Sequence, residues 1–282
     1  MLQKITIENR YAITDKGTSD GTQIKYFKDN MWYKLDRYGG EGEAEELASI
    51  ILKLSSYPQK KYVTYNRLLI NGQSGCVSKN ILRKDEQFVT LYRLYMNITG
   101  RDLAAVTQKM DYDDAIEFVL EFVLNSTEVD LREYLADIFT LDELILNDDR
   151  HFNNLGLLFD GMSFKPAPIF DNRKSLLVGN NGHVFAKAFS GSFSLNRSYL
   201  QNHATLKPNR RAILSYLDEH ENEISSRALN VLRYNLQDGR DAIRMVGAEI
   251  KDTGKQIPIP SSLDSIKKMK GDIYTLVDVD LD

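Results

Sequence analysis

Between residues 144 and 172 the chain concentrates groups that can move a proton and hold a hard cation. Leu144-Ile145-Leu146-Asn147-Asp148-Asp149-Arg150-His151-Phe152-Asn153-Asn154 is densest in polar residues where the chain must turn, and Pro168-Ile169-Phe170-Asp171-Asn172 ends an apolar strand on an acid. Residues 155–159 and 162–165 flank Asp160-Gly161 and read as a β-hairpin. A hairpin returns the chain on itself, so Asp149, Asn154 and Asp171 can converge on one point. Two carboxylates and an amide oxygen placed together suit phosphoryl transfer. Asp149 would accept or orient the proton of an attacking hydroxyl, while Asn154 and Asp171 would hold Mg2+, which prefers hard oxygen ligands, against nucleotide phosphates.

That chemistry also needs a cation for the α- and β-phosphates, fixed on a strand. Lys34 meets the requirement. It lies on the second strand of a hairpin built from residues 23–28 and 31–35 around Asp29-Asn30, a pair that tolerates the positive φ of a tight turn. Just upstream, Lys16-Gly17-Thr18-Ser19-Asp20-Gly21-Thr22 is a small-residue loop in which Gly17 and Gly21 let backbone approach a ligand closely. After Gly39-Gly40, the spacing of Leu47, Ile50, Ile51 and Leu54 predicts an amphipathic helix beginning at Glu41. This helix can supply an acid to hold Lys34, with Glu45 the first choice and Glu41 the second.

The elements carrying these residues fall into two textures. The first eighty or so residues are β-rich, and residues 62–70 read as a further strand before an Asn71-Gly72 turn. From about residue 86 helical periods dominate: 112–124 is amphipathic, and Leu131, Tyr134, Leu135, Ile138 and Ile145 mark another helix. Residues 172–204 are rich in Gly, Ser and Asn, and two or three helices fit within 207–252. The expected organisation is α+β, with residues 1–84 forming a β-rich N-terminal lobe and 85–282 a mostly helical C-terminal lobe.

Composition excludes several alternatives. The 282 residues carry 36 Lys+Arg against 40 Asp+Glu, a net charge of −4, and 42% are apolar. That is too apolar for a disordered chain, and no run approaches the roughly 18 apolar residues that cross a bilayer. Cys76 is the only cysteine and no two of the four histidines sit at i, i+4, which argues against cysteine-rich metal sites and a helical zinc site. With no sustained basic run there is no footprint for direct nucleic-acid binding. The first eight residues lack the apolar stretch of a secretory signal, so a cytoplasmic location is expected, with a secreted effector as the alternative.

Asp149-Arg150-His151-x-x-Asn154, followed 22 residues after Asp149 by Asp171, resembles the catalytic loop and metal-binding acid of the HipA-like serine/threonine kinases. The segment Thr18-Ser19-Asp20-Gly21-Thr22-Gln23-Ile24-Lys25 is similar to that family's phosphate loop, S-x-x-G-x-Q-x-K, with Thr in place of the first Ser. The match by motif covers roughly residues 10–175, and Glu41-Gly42-Glu43-Ala44-Glu45 and Gly75-Cys76-Val77-Ser78-Lys79-Asn80 look like the compact, CtkA-like members. The resemblance implies a bilobal protein-kinase-like fold, ATP and Mg2+ as cofactors, and transfer to Ser or Thr of a protein substrate. It also implies phosphate-loop contacts from Thr18, Ser19 and Gln23, autophosphorylation at Thr18 or Ser19, and an antitoxin or regulator protein as a partner. Phosphatidylinositol-type lipid kinases share the D-R-H-x-x-N loop, but no membrane-directing segment accompanies it here. A pseudokinase or regulatory binding module is the remaining alternative, and the full set of expected catalytic residues argues against it. The sequence departs from conventional kinases after Asp171, where Asn172-Arg173 stands in place of Phe-Gly.

Other conspicuous residues have plainer readings. His151 organises the loop and has no proton-transfer role. Trp32 and Tyr33 are strand packing, Phe118, Phe122, Tyr134 and Phe139 are core, and Cys76 is a small strand residue with no paired base.

Overall fold

The computed structural model describes residues 2–13, 23–179 and 200–237. Its N-terminal part is a five-stranded sheet built from β1 (Gln3–Ile5), β2 (Lys25–Lys28), β3 (Met31–Leu35), β4 (Tyr65–Ile70) and β5 (Gln73–Lys79). The spatial order is β1-β4-β5-β3-β2, with β1 parallel to β4 and the other pairs antiparallel. The β2–β3 turn has Asp29 at φ 52° and Asn30 at φ 61°, the left-handed pair that matches the twist of a two-residue hairpin. Strand β4 begins at Tyr65 and not at residue 62, because residues 59–61 form a short 3-10 turn and Tyr62 makes an isolated parallel bridge to Ile169.

Helix α1 (Glu41–Leu54) crosses this sheet. Gly40 precedes it at φ 99°, and Asp36 accepts from the Gly40 and Gly42 backbone N–H groups at 3.0 and 2.8 Å. Gly42 is required by packing: a Cβ there would stand 2.7 Å from the Gly75 carbonyl oxygen of β5. The apolar face of α1 (Ala44, Leu47, Ala48, Ile51, Leu52) belongs to the same buried cluster as the helices that follow.

Those helices are α2 (Leu91–Thr99), α3 (Leu103–Thr107), α4 (Tyr112–Thr127), α5 (Arg132–Ile145), α6 (Arg210–Glu219) and α7 (Ser226–Gln237). A three-stranded sheet, β6 (Gln87–Thr90), β7 (Gly156–Phe159) and β8 (Phe164–Pro166), lies in the order β6-β7-β8 beside them. Ile116, Val119, Leu120, Val123, Leu135, Ile138 and Phe139 are at most 1% exposed and form the centre of the helical core. A smaller cluster, Ile7, Tyr26, Tyr33, Leu35, Leu68 and Ile70, occupies one face of the first sheet. Alternation along β3 therefore sends Tyr33 and Leu35 into that cluster and Lys34 to the opposite face. Among the described residues no helix is long and apolar enough to cross a membrane.

Candidate active site

Lys34 is paired in register with Cys76 of β5 and with Lys25 of β2. Its Nζ lies 3.2 Å from Glu45 Oε1, 3.9 Å from Asp171 Oδ1 and 5.1 Å from the centre of the Tyr65 ring. Burial disfavours the ammonium, but Tyr65, Glu45 and Asp171 outweigh it and hold the Lys34 pKa well above the ordinary lysine value. Glu45 is fully buried, and burial raises its pKa against the pull of Lys34. Its second oxygen accepts from the Asn172 backbone N–H at 2.8 Å, which ties the helix to the residue after Asp171. Glu41, the other acid considered for Lys34, is committed elsewhere: its Oε1 accepts from the backbone N–H groups of Arg37 and Tyr38, both at 2.9 Å.

The loop after α5 is organised by Arg150, whose side chain is 0% exposed. Arg150 Nε and Nη2 each donate to Asp142 at 2.9 Å, Nη1 donates to the Phe170 carbonyl at 2.7 Å and Nη2 to Asn172 Oδ1 at 2.7 Å. One guanidinium thus joins α5, the loop and both neighbours of Asp171, fixing Asp171 in a left-handed conformation at φ 57°. Burial would push the Asp171 carboxyl up, but Lys34, Arg173, Lys25 and Arg150 together hold it below the ordinary value.

Asn154 Nδ2 donates to the Asp149 carbonyl at 2.8 Å, which orients the amide. Its Oδ1 is buried with no hydrogen-bond partner, and so is Asp171 Oδ1. Orphaned buried oxygens of this kind are costly unless something occupies them, and one amide plus one carboxylate is a donor set that Mg2+ shares with phosphate oxygens. Among the described residues there is no group of three or more His, Cys, Asp or Glu side chains placed to hold a metal ion. Asp149 lies nearby through Arg173, which reaches Asp149 Oδ2 at 3.8 Å and Asp171 Oδ1 at 3.4 Å. His151 Nδ1 accepts from the Asn153 backbone N–H at 3.2 Å and its Nε2 faces Asp149 Oδ1 at 3.8 Å, the geometry of a loop organiser.

Lys34, Glu45 and Asp171 are thus brought together directly, and Asp149 and Asn154 join them through Arg173 and the loop backbone. Gln23 is at the edge, with Nε2 donating to the Leu35 carbonyl at 2.8 Å. Gly17, Thr18, Ser19 and Gly21 lie outside the described residues. Reading residue types alone missed Lys25, Arg150, Asp142 and Asn172. Lys25 was visible as the last residue of the loop pattern, and its place here follows from strand register; Asp142 and Asn172 carry no signal until the buried guanidinium is seen.

No protein-family model matches the chain, and no curated protein sequence does either. Among solved structures it is similar to the Helicobacter pylori proinflammatory kinase CtkA, with a TM-score of 0.54 and 16% identity over 91% of this chain and 100% of that one. HipA from the Shewanella oneidensis MR-1 HipA, HipB and operator DNA complex matches with a TM-score of 0.38 and 13% identity, over 92% of this chain and 60% of that one. The chain has an α+β fold similar to that of the CtkA kinase, whose full length it matches.

Proposed function

We propose that this chain is a Mg2+- and ATP-dependent kinase that transfers the γ-phosphoryl group to a protein Ser or Thr hydroxyl. The observation that carries the reading is the pair of buried, hydrogen-bond-free oxygens, Asn154 Oδ1 and Asp171 Oδ1, beside a lysine held by a buried glutamate. Lys34 and Lys25 bind the phosphate chain. The apolar group Val63, Tyr65 and Cys76, with Ile81 and Phe170 against it, lies on the same side of the sheet as Lys34 and offers a dry surface for a purine. Asn154 and Asp171 hold Mg2+, which when bound offsets the charge of the β- and γ-phosphates. Asp149 takes the proton of the acceptor hydroxyl, and Asn154 keeps the Asp149 backbone in place. Thr18 or Ser19, in the segment that resembles the phosphate loop, is the autophosphorylation acceptor.

Intact-mass spectrometry after incubation with Mg2+ and ATP tests the reading. The wild-type chain is expected to gain phosphate in residues 17–22, and Asp149→Asn to gain none. A wild type that stays unmodified and transfers no phosphate to any added protein would contradict it.

A further inference from the structure

Where a conventional kinase has Phe-Gly after the metal-binding acid, this chain has Asn172-Arg173. The Arg173 side chain is only 11% exposed. Its guanidinium spans the gap between the two acids, 3.8 Å from Asp149 and 3.4 Å from Asp171. The contact to Asp171 is an ion pair without a hydrogen bond, since Asp171 Oδ1 makes none. The planar Arg173 fork lies between Asp149, the proton acceptor of the proposed reaction, and Asp171, its metal carboxylate. The shape and donor pattern of a guanidinium match phosphate oxygens, which it can hold through two parallel N–H groups.

We propose that Arg173 is a catalytic residue of the transfer, contacting the non-bridging oxygens of the phosphoryl group as it moves from ATP to the acceptor. The inference rests on the kinase reading above. In the step, the acceptor oxygen bonds to the γ-phosphorus while the bond from that phosphorus to the β,γ-bridging oxygen breaks. The acceptor proton passes to Asp149, and the electron pair of the broken bond leaves with ADP. Charge on the passing phosphoryl oxygens is highest between the two carboxylates, where repulsion from Asp149 and Asp171 would otherwise be greatest. Arg173 is tethered two residues from Asp171, on the segment that Arg150 and Glu45 hold, so its cation is in place before the reaction.

The test compares wild type, Arg173→Met and Arg173→Lys, with thermal melting to establish folding. Calorimetry measures affinity for Mg2+–ADP alone and for Mg2+–ADP with aluminium fluoride, which imitates the transferred group. For Arg173→Met the expected result is ADP affinity within about threefold of wild type, the fluoride complex weakened by about 100-fold or more, and kcat lowered in parallel with KM little changed. Arg173→Lys, which keeps the charge and loses the fork, should fall between. A folded Arg173→Met variant that holds the fluoride complex as tightly as wild type would overturn the role of Arg173 alone. A wild type that binds no ADP and transfers no phosphate would overturn the kinase reading and this inference with it.

Discussion

Lys25 and Lys34 stand directly opposite each other on β2 and β3. Two like charges in such a pair are destabilising, and burial followed by the Lys34 charge lowers the Lys25 pKa. Glu45 and Asp171 offset the pair, and Arg173, which also faces Asp149, brings a third cation into the same cleft. Cations held this close suit a polyanion, and the ligand-free protein carries the cost of the Lys25–Lys34 repulsion.

Lys25→Met should therefore stabilise the free protein and weaken its binding of ATP. The gain is expected to be up to about 1 kcal/mol, the scale of a cross-strand pair. Thermal melting without nucleotide and calorimetric titration with ATP give the two readouts.

Lys34→Met should do the opposite to stability. It leaves Glu45 buried without its cation, a change that costs about 3–5 kcal/mol when a buried ion pair is broken from one side. The double variant Lys34→Met, Glu45→Gln should recover much of that loss without recovering nucleotide turnover. Urea unfolding of the three proteins separates the stability effect from the loss of phosphate contact.

Arg150→Lys tests the joint between α5 and the Asp171 segment. Lysine keeps the charge beside Asp142 but cannot reach Asp142, the Phe170 carbonyl and Asn172 together. Each charged hydrogen bond left unmade costs about 1.5–3 kcal/mol, so the variant should melt several degrees lower and require more Mg2+ for turnover. A Mg2+ titration of activity at saturating ATP, run beside a melting curve, reads both.

Asp148 sets a pH dependence. Burial first, and then the charge of Asp149, push its pKa up to about 7. In the unfolded chain it ionises near 3.9, so between about pH 4 and 7 the unfolded chain has released a proton that the folded chain keeps. Stability from this group is complete at the acid end of that window and lost as pH rises through it. Asp148→Asn cannot lose a proton there. Its melting temperature should match the parent's near pH 4 and exceed it at pH 8.

Much of this site is legible in residue types and spacing because it is built from local signals. Asp29-Asn30 declares its turn, Gly39-Gly40 stops the chain before α1, and the polar density around Asp149 marks a loop that no helix or strand can absorb. What spacing cannot decide is a choice between residues one helical turn apart. Glu41 and Glu45 share a face of α1, and only the approach of β3 and Asn172 selects Glu45. Arg150 reads as one polar residue among several, since its partners Asp142 and Asn172 lie 8 and 22 residues away and meet only in the fold. Strand β6 went unread because four residues ahead of a long helical stretch show too little alternation to stand out.

Steady-state release of ADP from Mg2+–ATP, with a Ser/Thr-containing protein acceptor present, tests the central claim most directly when wild type is compared with Asp149→Asn and Asp171→Ala. All three proteins should melt cooperatively, Asp149→Asn close to wild type and Asp171→Ala at a lower temperature, because Lys34 and Arg173 lose a buried carboxylate partner. Wild type should turn over only with Mg2+, Asp171→Ala should show no Mg2+-dependent turnover, and Asp149→Asn should bind ATP without transferring phosphate. Wild-type turnover persisting at a near-normal rate in a folded Asp171→Ala protein would contradict the account.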